Sequence, residues 1–493
     1  MIHPTIMEIG FDNGKYLKIQ SEHISERIEK FGNKLYLELG GKLFDDYHAS
    51  RVLPGFQPDS KLKMFHKLKD RLEIVIVISA KDIEKNKIRI DLGITYDEDV
   101  LRLREAFMER GFLVSAVVVT HYDGQMSADA FRNRLERKGV KVYYHYLIDG
   151  YPHNVDLIAS DDGFGRNDYI ETSRPLVIVT APGPGSGKMA VCLSQLYNEK
   201  KHGVEAGYAK FETFPIWSLP LKHPVNIAYE AATADLNDVN MIDPFHLEAY
   251  GKTAVNYNRD IEIYPVLNAL FMGIYGKSPY KSPTDMGVNM AGFCISDDDV
   301  CRRASNNEII RRYFTALNEF AKGHGSESEI SKISLLFKQA DITLAYRKTI
   351  AAARERAEKS GRPCSAIELN DGTIITAESS PLLGPSSALI LNALKHLAGI
   401  DHEIKLIPQE FIEPIQHTKL TYLHGNNPRL HSDEVLVALS VLSSHNDNCR
   451  KALEKLPELR GCQMHSTVML GEVDHKIFKK LGVGLTCDPQ TKK

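Results

Sequence analysis

The sequence has little of what several large classes of protein require. Its seven cysteines form no Cys-x-x-Cys pair, and an odd, scattered set is typical of reduced thiols, so we predict neither disulfides nor a bound zinc. No stretch of eighteen consecutive apolar residues occurs, which argues against a membrane-spanning helix. The first twenty residues contain no basic segment followed by an apolar one, so we expect a cytosolic protein without a secretory leader.

Charge is also nearly balanced, with a formal net value of -3 and no long basic run. This composition argues against a protein dedicated to nucleic-acid binding, which would need a strongly basic surface. Hydrophobic residues make up 43% and charged residues 25% of the 493 positions, as in ordinary globular proteins. A chain of this length predicts two to four domains of roughly 100 to 200 residues each.

The first part of the chain alternates short apolar runs with amphipathic segments. Continuous apolar runs are typical of strands buried on both faces, whereas two segments between them have helical periodicity and end at a glycine. The pattern predicts an α/β fold whose N-terminal domain, over residues 1–220, is a βαβ sheet with mostly parallel strands. The runs are 35–39, 72–80, 113–120, 142–148 and 176–180, and the helical segments are 98–111 and 127–139.

The remainder predicts two further domains. The pattern of residues 221–361 predicts a mainly helical domain, and the pattern of residues 362–493 predicts an α+β domain. That last domain begins with a hairpin around Asn370-Asp371-Gly372 and continues into a helix over about 386–398. Two further strands are predicted, near 404–408 and 462–470.

The strongest functional pattern is the segment LVIVTAPGPGSGKMAV at 176–191, a buried strand that runs into glycines and then a helix. Glycines let backbone N–H groups turn inward, and a helix N-terminus adds partial positive charge. Lys188 adds a full positive charge. This P-loop-like turn predicts a phosphate or nucleotide site formed by Gly183, Gly185, Ser186, Gly187 and Lys188.

Two residues of this turn depart from the pattern of nucleotide-binding loops. Pro182 stands where the first glycine would be, and Met189 stands where a serine or threonine would bind magnesium. We therefore do not expect magnesium, and the anion is left open between a nucleotide and another phosphorylated molecule. The alternative is a glycine-rich turn that only packs the strand against the helix.

Polar side chains are dense in a second segment, residues 234–265. Carboxylates beside histidine, lysine and arginine tune each other's pKa values and are suited to acid-base catalysis. From this segment we select Asp243, His246, Arg259 and Asp260 as candidate catalytic residues. The alternative is a polar helix-loop-helix with capping aspartates and surface ion pairs.

These patterns leave three hypotheses for function. The first is an enzyme that binds a phosphorylated small molecule or nucleotide through residues 182–188. The second is a non-catalytic ligand-binding or assembly protein whose helical domain mediates homo-oligomer formation. The third is a metal-dependent hydrolase that uses the acidic and histidine-rich segments without a nucleotide.

The whole chain resembles a bacterial family of similar length and unknown function. The resemblance is carried by LFDDYHASRVLPGF, APGPGSGKMAVCLSQLY, IDPFHLEAYGKTAVNYNRDIE and SPTDMGVNMAGF. It implies bacterial origin and a multidomain fold, and it implies no particular activity.

A second resemblance covers about the last 130 residues, where CSAIELNDGTIITAESSPLLGPSSALILNAL is similar to the hairpin and helix of cytidine-deaminase-like domains. Those enzymes bind zinc through a histidine or cysteine at that helix start and a PCxxC motif on the next helix. Here the helix start is GPSSA and no CxxC exists, so the resemblance implies a shared fold without zinc chemistry.

Overall fold

The computed structural model describes residues 8–41, 43–44, 46–89 and 92–489. Two compact units divide the described chain: one holds residues 10–226 and 238–298, and the other holds 8–9, 227–237 and 299–489. The three-domain division at residues 220 and 361 stays a prediction. None of the described helices combines the length and the apolar character that crossing a membrane requires.

The first unit contains a parallel sheet, two short two-stranded ribbons and the helices around them. Its strands are β1 Leu35–Leu39, β2 Leu72–Ser79, β3 Ile88–Arg89, β4 Ile94–Thr95, β5 Leu113–Tyr122, β6 Val142–Tyr146, β7 Leu176–Thr180, β8 Gly207–Phe211, β9 Asn240–Ile242 and β10 Val255–Tyr257. Its helices are α1 Asn13–Lys30, α2 Tyr47–Val52, α3 Ser60–Lys67, α4 Ala80–Glu84, α5 Tyr96–Glu109, α6 Met126–Glu136, α7 Val155–Ile158, α8 Lys188–Lys201, α9 Pro224–Ala232 (which continues into the second unit), α10 Pro244–Tyr250, α11 Asn258–Tyr275 and α12 Pro283–Met286.

Six strands form the main sheet in the order β6-β5-β2-β7-β1-β8. Every neighbouring pair is parallel, which confirms the predicted α/β fold with a parallel sheet. β7 lies in the middle, since Ile178 is the register partner of both Leu37 in β1 and Ile74 in β2.

Both faces of this sheet are covered, which explains why its strands are almost continuously apolar. On one face, side chains such as Ile76 and Ile178 pack with Val100 and Phe107 of α5. On the other face, residues such as Val177 pack with the apolar sides of α8 and α11. All of these residues are buried.

The connections leave the centre of the sheet in opposite directions. From β2 the chain passes through α4 and α5 to β5 on one side, and from β7 it passes through α8 to β8 on the other side. The carboxyl ends of β2 and β7 are therefore the switch point of the sheet, and we call the space beyond them the crevice. In open α/β sheets such a switch point is the usual position of a ligand.

The second unit is a four-stranded sheet with helices. Its remaining elements are α13 Asp298–Ala321, α14 Glu327–Gln339, α15 Lys348–Ser360, β11 Cys364–Glu368, β12 Ile374–Glu378, α16 Pro385–Leu397, α17 Gln409–His417, α18 Ser432–Leu442, α19 Asp447–Leu453, β13 Gln463–Ser466, α20 Glu472–Leu481 and β14 Gly484–Cys487. The strand order is β12-β11-β13-β14. β11 is antiparallel to both of its neighbours, and β13 is parallel to β14.

The predicted hairpin and the helix after it are confirmed as β11, β12 and α16. The strand predicted at 404–408 is wrong, because this segment is irregular. Its Leu406 and Ile407 are apolar because they are buried in the core of the unit, and they pair with no strand. The strand predicted over 462–470 is shorter and covers only β13.

Candidate functional site

Residues 181–187 connect β7 to α8 and form what we call the glycine loop. Gly185 and Gly187 have φ values of 77° and 85°, a left-handed conformation that glycine adopts without steric cost. These two residues let the chain turn sharply between the central strand and the helix. The loop therefore lies at the carboxyl end of β7, beside the crevice.

The glycine loop is fixed to its neighbours by specific contacts. The Thr120 hydroxyl donates to the Ser186 carbonyl at 2.7 Å, and the Ser186 hydroxyl donates to the Gly183 carbonyl at 2.6 Å. A Cβ atom at Gly183 would lie 2.3 Å from the Tyr96 hydroxyl, so a larger side chain does not fit there. The loop is a defined shape rather than a loose connection.

Several polar groups of this loop are open. Within the described part of the chain, no acceptor takes the backbone N–H of Gly185, Gly187 or Lys188. Lys188 is the first residue of α8 and is half-buried. Because helix N-termini carry partial positive charge, these groups together favour an anion.

His121 lies next to this loop, at the carboxyl end of β5. Its Nδ1 is 3.1 Å from Ser79 Oγ and 3.3 Å from Thr120 Oγ1. Burial lowers the pKa of His121 below its usual value; Lys81 also lowers it, and Asp82 opposes the shift. No separate pattern marked this histidine for a functional role, because it directly follows the apolar run 113–120.

A second polar group lies on the sheet face covered by α8 and α11; we call Glu38, Lys210, Glu212 and Asp260 the charged cluster. Lys210 Nζ is 2.6 Å from Asp260 Oδ2 and 3.1 Å from Glu212 Oε2. Glu38 is the register partner of Lys210 on the neighbouring strand and accepts the Tyr208 hydroxyl at 2.6 Å. The Lys210 side chain is only 18% exposed.

Electrostatics make this cluster chemically unusual. Burial, together with Asp260 and Glu38, raises the pKa of Glu212 against the opposing effect of Lys210. Burial alone would lower the pKa of Lys210, but the surrounding carboxylates outweigh it and raise it. A carboxyl group with a raised pKa beside a fixed cation is suited to proton transfer.

Cys192 of α8 lies within electrostatic range of both Glu38 of the charged cluster and Lys188. Burial raises the pKa of this thiol, Glu38 raises it further, and Lys188 lowers it. Both Glu38 and Lys188 therefore act on one buried side chain. Lys188 and Cys192 are four residues apart and lie on one side of α8.

The four predicted catalytic residues lie in different surroundings. Asp260 belongs to the charged cluster, whereas Arg259 is paired with Asp238, with Nη2 and Oδ2 3.2 Å apart. Asp243 caps α10 by accepting the His246 N–H at 3.0 Å, and it also accepts the Thr284 hydroxyl at 2.6 Å. Catalytic roles for Asp243, His246, Arg259 and Asp260 stay predictions.

His246 sits beside the helix cap rather than in the charged cluster. Its Nδ1 is 3.0 Å from Ser282 Oγ and 3.8 Å from Asp285 Oδ1. Sequence reasoning identified Asp260 but missed its partners Glu38, Lys210 and Glu212. No group of three or more histidine, cysteine, aspartate or glutamate side chains among residues 8–41, 43–44, 46–89 and 92–489 is arranged to hold a metal ion.

Comparison with known proteins gives matches along the whole chain. The models for the N-terminal and C-terminal parts of the domain of unknown function DUF1846 match residues 9–341 and 345–493. A protein of Corynebacterium aurimucosum named UPF0371 protein is 58% identical over 482 residues, covering 98% of this chain and 97% of its own. One of the same name from Streptococcus sanguinis is 54% identical over 482 residues, covering 98% of each chain.

Proposed function

We propose, from the premise that this chain belongs to the DUF1846 family, that the protein binds a phosphorylated small molecule whose phosphate lies in the glycine loop. One observation carries the proposal. The loop follows the central strand β7 at the switch point of the sheet, and its amides at Gly185, Gly187 and Lys188 are open. The position of the loop and its open N–H groups therefore both favour a bound phosphate.

The phosphate would be bound by backbone and lysine rather than through a metal. Open N–H groups donate to phosphate oxygens, the α8 N-terminus adds favourable charge, and Lys188 compensates the remaining negative charge. Met189 has no hydroxyl for magnesium, so binding does not require that ion. This favours a sugar phosphate or similar metabolite over magnesium-bound ATP.

We further propose that the charged cluster contacts the polar remainder of the ligand and makes the protein an enzyme. Lys188 and Glu38 both act on Cys192, which supports a continuous site from the loop to the cluster. Glu212, whose pKa is raised, would exchange a proton with the ligand, and Asp260 with Lys210 would hold that carboxyl in position.

For the C-terminal unit we propose the fold of cytidine-deaminase-like domains without their zinc chemistry. A hairpin, β11 and β12, leads into α16, which supports the resemblance. α16 begins with Pro385, Ser386 and Ser387, and none of these side chains is a typical zinc ligand.

Thermal unfolding with and without phosphorylated ligands tests the binding proposal. We expect pyrophosphate, ADP or a sugar phosphate to raise the melting temperature of the wild-type protein. A ligand at a hundredfold excess over its Kd stabilises by about 2.7 kcal/mol. Lys188→Ala should weaken binding at least about tenfold, since it removes the full charge at the loop.

Lys201→Ala is the matched control, because Lys201 lies at the other end of α8 and is bound to Asp161 at the surface. This variant should bind as the wild-type protein does. Unchanged melting of the wild-type protein with every phosphorylated ligand would refute the proposal. Wild-type affinity in the Lys188→Ala variant would contradict the assignment of the phosphate to the glycine loop.

A further inference from the structure

His121 has a backbone conformation that few residues adopt. Its φ is 53°, in the left-handed region, which is sterically unfavourable for a side chain with a Cβ. Such strain persists where neighbouring contacts enforce it, and it is concentrated at functional sites. His121 is the last residue but one of β5 and follows Thr120, which binds the glycine loop.

The contacts of His121 identify the nitrogen that carries its proton. The Thr120 hydroxyl hydrogen is donated to Ser186 at 2.7 Å, so Thr120 Oγ1 can only accept from His121 Nδ1. Ser79 Oγ offers a second acceptor at 3.1 Å. The proton is therefore favoured on Nδ1, and Nε2 carries a lone pair.

The other ring nitrogen, Nε2, makes no such contact. No described residue offers a hydrogen-bond partner to this nitrogen. The ring itself is joined to the glycine loop through the adjacent Thr120, which binds Ser186 and would lie 3.3 Å from a Cβ at Gly187. Ser79 places it at the end of β2, one of the two strands that line the crevice.

We propose that His121 completes the anion site and that phosphate binding is coupled to the uptake of one proton by its Nε2. The inference rests on the proposed function of the glycine loop. A phosphate dianion has only acceptors, so a lone pair on Nε2 opposes it. A proton taken from solvent forms the new N–H bond, which then donates to a phosphate oxygen in a charge-assisted hydrogen bond.

The surroundings make this uptake measurable. Burial lowers the pKa of His121, so the free protein holds the ring neutral at neutral pH, and an adjacent anion raises the pKa again. The charged groups that act on the ring are Lys81 and Asp82 of α4, and Lys188 faces the same loop from α8. None of them is an imidazole, the group that titrates in this range.

Sulfate tests the coupling, because it stays a dianion near neutral pH and carries no proton of its own. We expect the affinity of the wild-type protein for sulfate, measured by calorimetry over roughly pH 5.5 to 8.5, to fall about tenfold per pH unit between the pKa of His121 in the free protein and its higher pKa in the complex. His121→Gln places an amide near Nε2 that donates without taking up a proton, so its affinity should not depend on pH.

His402→Gln is the matched control, since the His402 side chain is 86% exposed and lies in the other unit; it should keep the wild-type slope. Calorimetry of the wild-type protein in buffers of different ionisation enthalpy gives an independent count, expected to be about one proton per sulfate. That count remains available if the His121→Gln variant does not fold.

The outcomes separate the two proposals. No binding of sulfate or inorganic phosphate by the wild-type protein at any pH would overturn the anion site itself. Binding that Lys188→Ala abolishes, with the same pH slope in the wild-type protein and His121→Gln, would overturn only the role of His121. Binding without proton uptake would do the same.

Discussion

Each of the two units contains a helix that follows a Gly-Pro dipeptide, and the two helix starts are built differently. Before α8, the dipeptide Gly183-Pro184 is separated from the helix by glycines with positive φ. Before α16, Gly384 is itself the N-cap, with φ of -68°, and Pro385 is already the first helical residue. Only the first helix start therefore has a glycine-rich turn between the dipeptide and the helix.

The two helix starts also differ in how far neighbouring segments cover them. The Ser387 hydroxyl donates to the Leu430 carbonyl at 2.7 Å, so a neighbouring segment closes the start of α16. Counting from each dipeptide, Leu389 stands where α8 has Lys188, and Leu389 is completely buried. A Gly-Pro dipeptide thus does not define an anion site. The residues between it and the helix, and the segments packed over them, decide that.

Charged side chains show the same contrast between the units. In the first unit Lys210 is enclosed by carboxylates of the charged cluster. In the second unit Arg356 is 3.0 Å from Glu378, and these side chains are 49% and 31% exposed. The contacts of Lys210 are therefore mostly buried within the first unit, whereas Arg356 and Glu378 form a surface ion pair.

The largest expected effect is on the charged cluster. Lys210→Met leaves Glu212 and Asp260 without their cation in a nearly buried position, and should lower the free energy of unfolding by about 3 kcal/mol. Arg356→Met breaks the exposed pair and should cost less than about 0.5 kcal/mol. Denaturant unfolding measures both values. Equal losses would mean that the cluster is hydrated like a surface pair.

An intermediate effect is expected at the two dipeptides. Gly183→Ala forces a Cβ against Tyr96 and should cost about 2 kcal/mol and weaken phosphate binding at least about tenfold. A Cβ atom at Gly384 would lie 3.7 Å from its nearest neighbour, so Gly384→Ala should cost less than about 1 kcal/mol of unfolding free energy. Unfolding and ligand titration of both variants give the comparison. Wild-type ligand affinity in Gly183→Ala would contradict the required loop shape.

The smallest effect separates the two serines. Ser186→Ala removes a partly buried hydrogen bond and Ser387→Ala removes a buried one; each change should cost about 1 kcal/mol of unfolding free energy. Only Ser186→Ala should also weaken sulfate binding, because that hydroxyl holds the loop in shape. A loss of sulfate affinity in Ser387→Ala would show that the start of α16 is open after all.

Apolar runs predicted five of the six strands of the parallel sheet and missed β8. Strands buried on both faces must be apolar throughout, so β2 and β7 are visible in the sequence alone. The same reasoning failed at 404–408, where burial of Leu406 without strand pairing produces a similar run. Strand order was not predictable, because it depends on contacts between distant segments.

The candidate site, like the fold, was predictable only where a local pattern marks its residues. Glycines and Lys188 at 183–188 form a local pattern and were identified, and Asp260 was found within a polar segment. Glu38 and Lys210 are single charges within short strands, which look solvent-facing in the sequence. Their proximity comes from the register of β1 and β8, which no local pattern encodes.

The position of β7 has a consequence for how the protein is made. β1 and β2 are synthesised first, yet each pairs with β7 and they do not pair with each other. At about 5 to 20 residues per second, the ribosome needs roughly 5 to 20 s after β2 to produce β7. During that interval both strands have open edges, where chains aggregate. The glycine loop directly follows β7, so it takes its place only after β7 has paired with both strands.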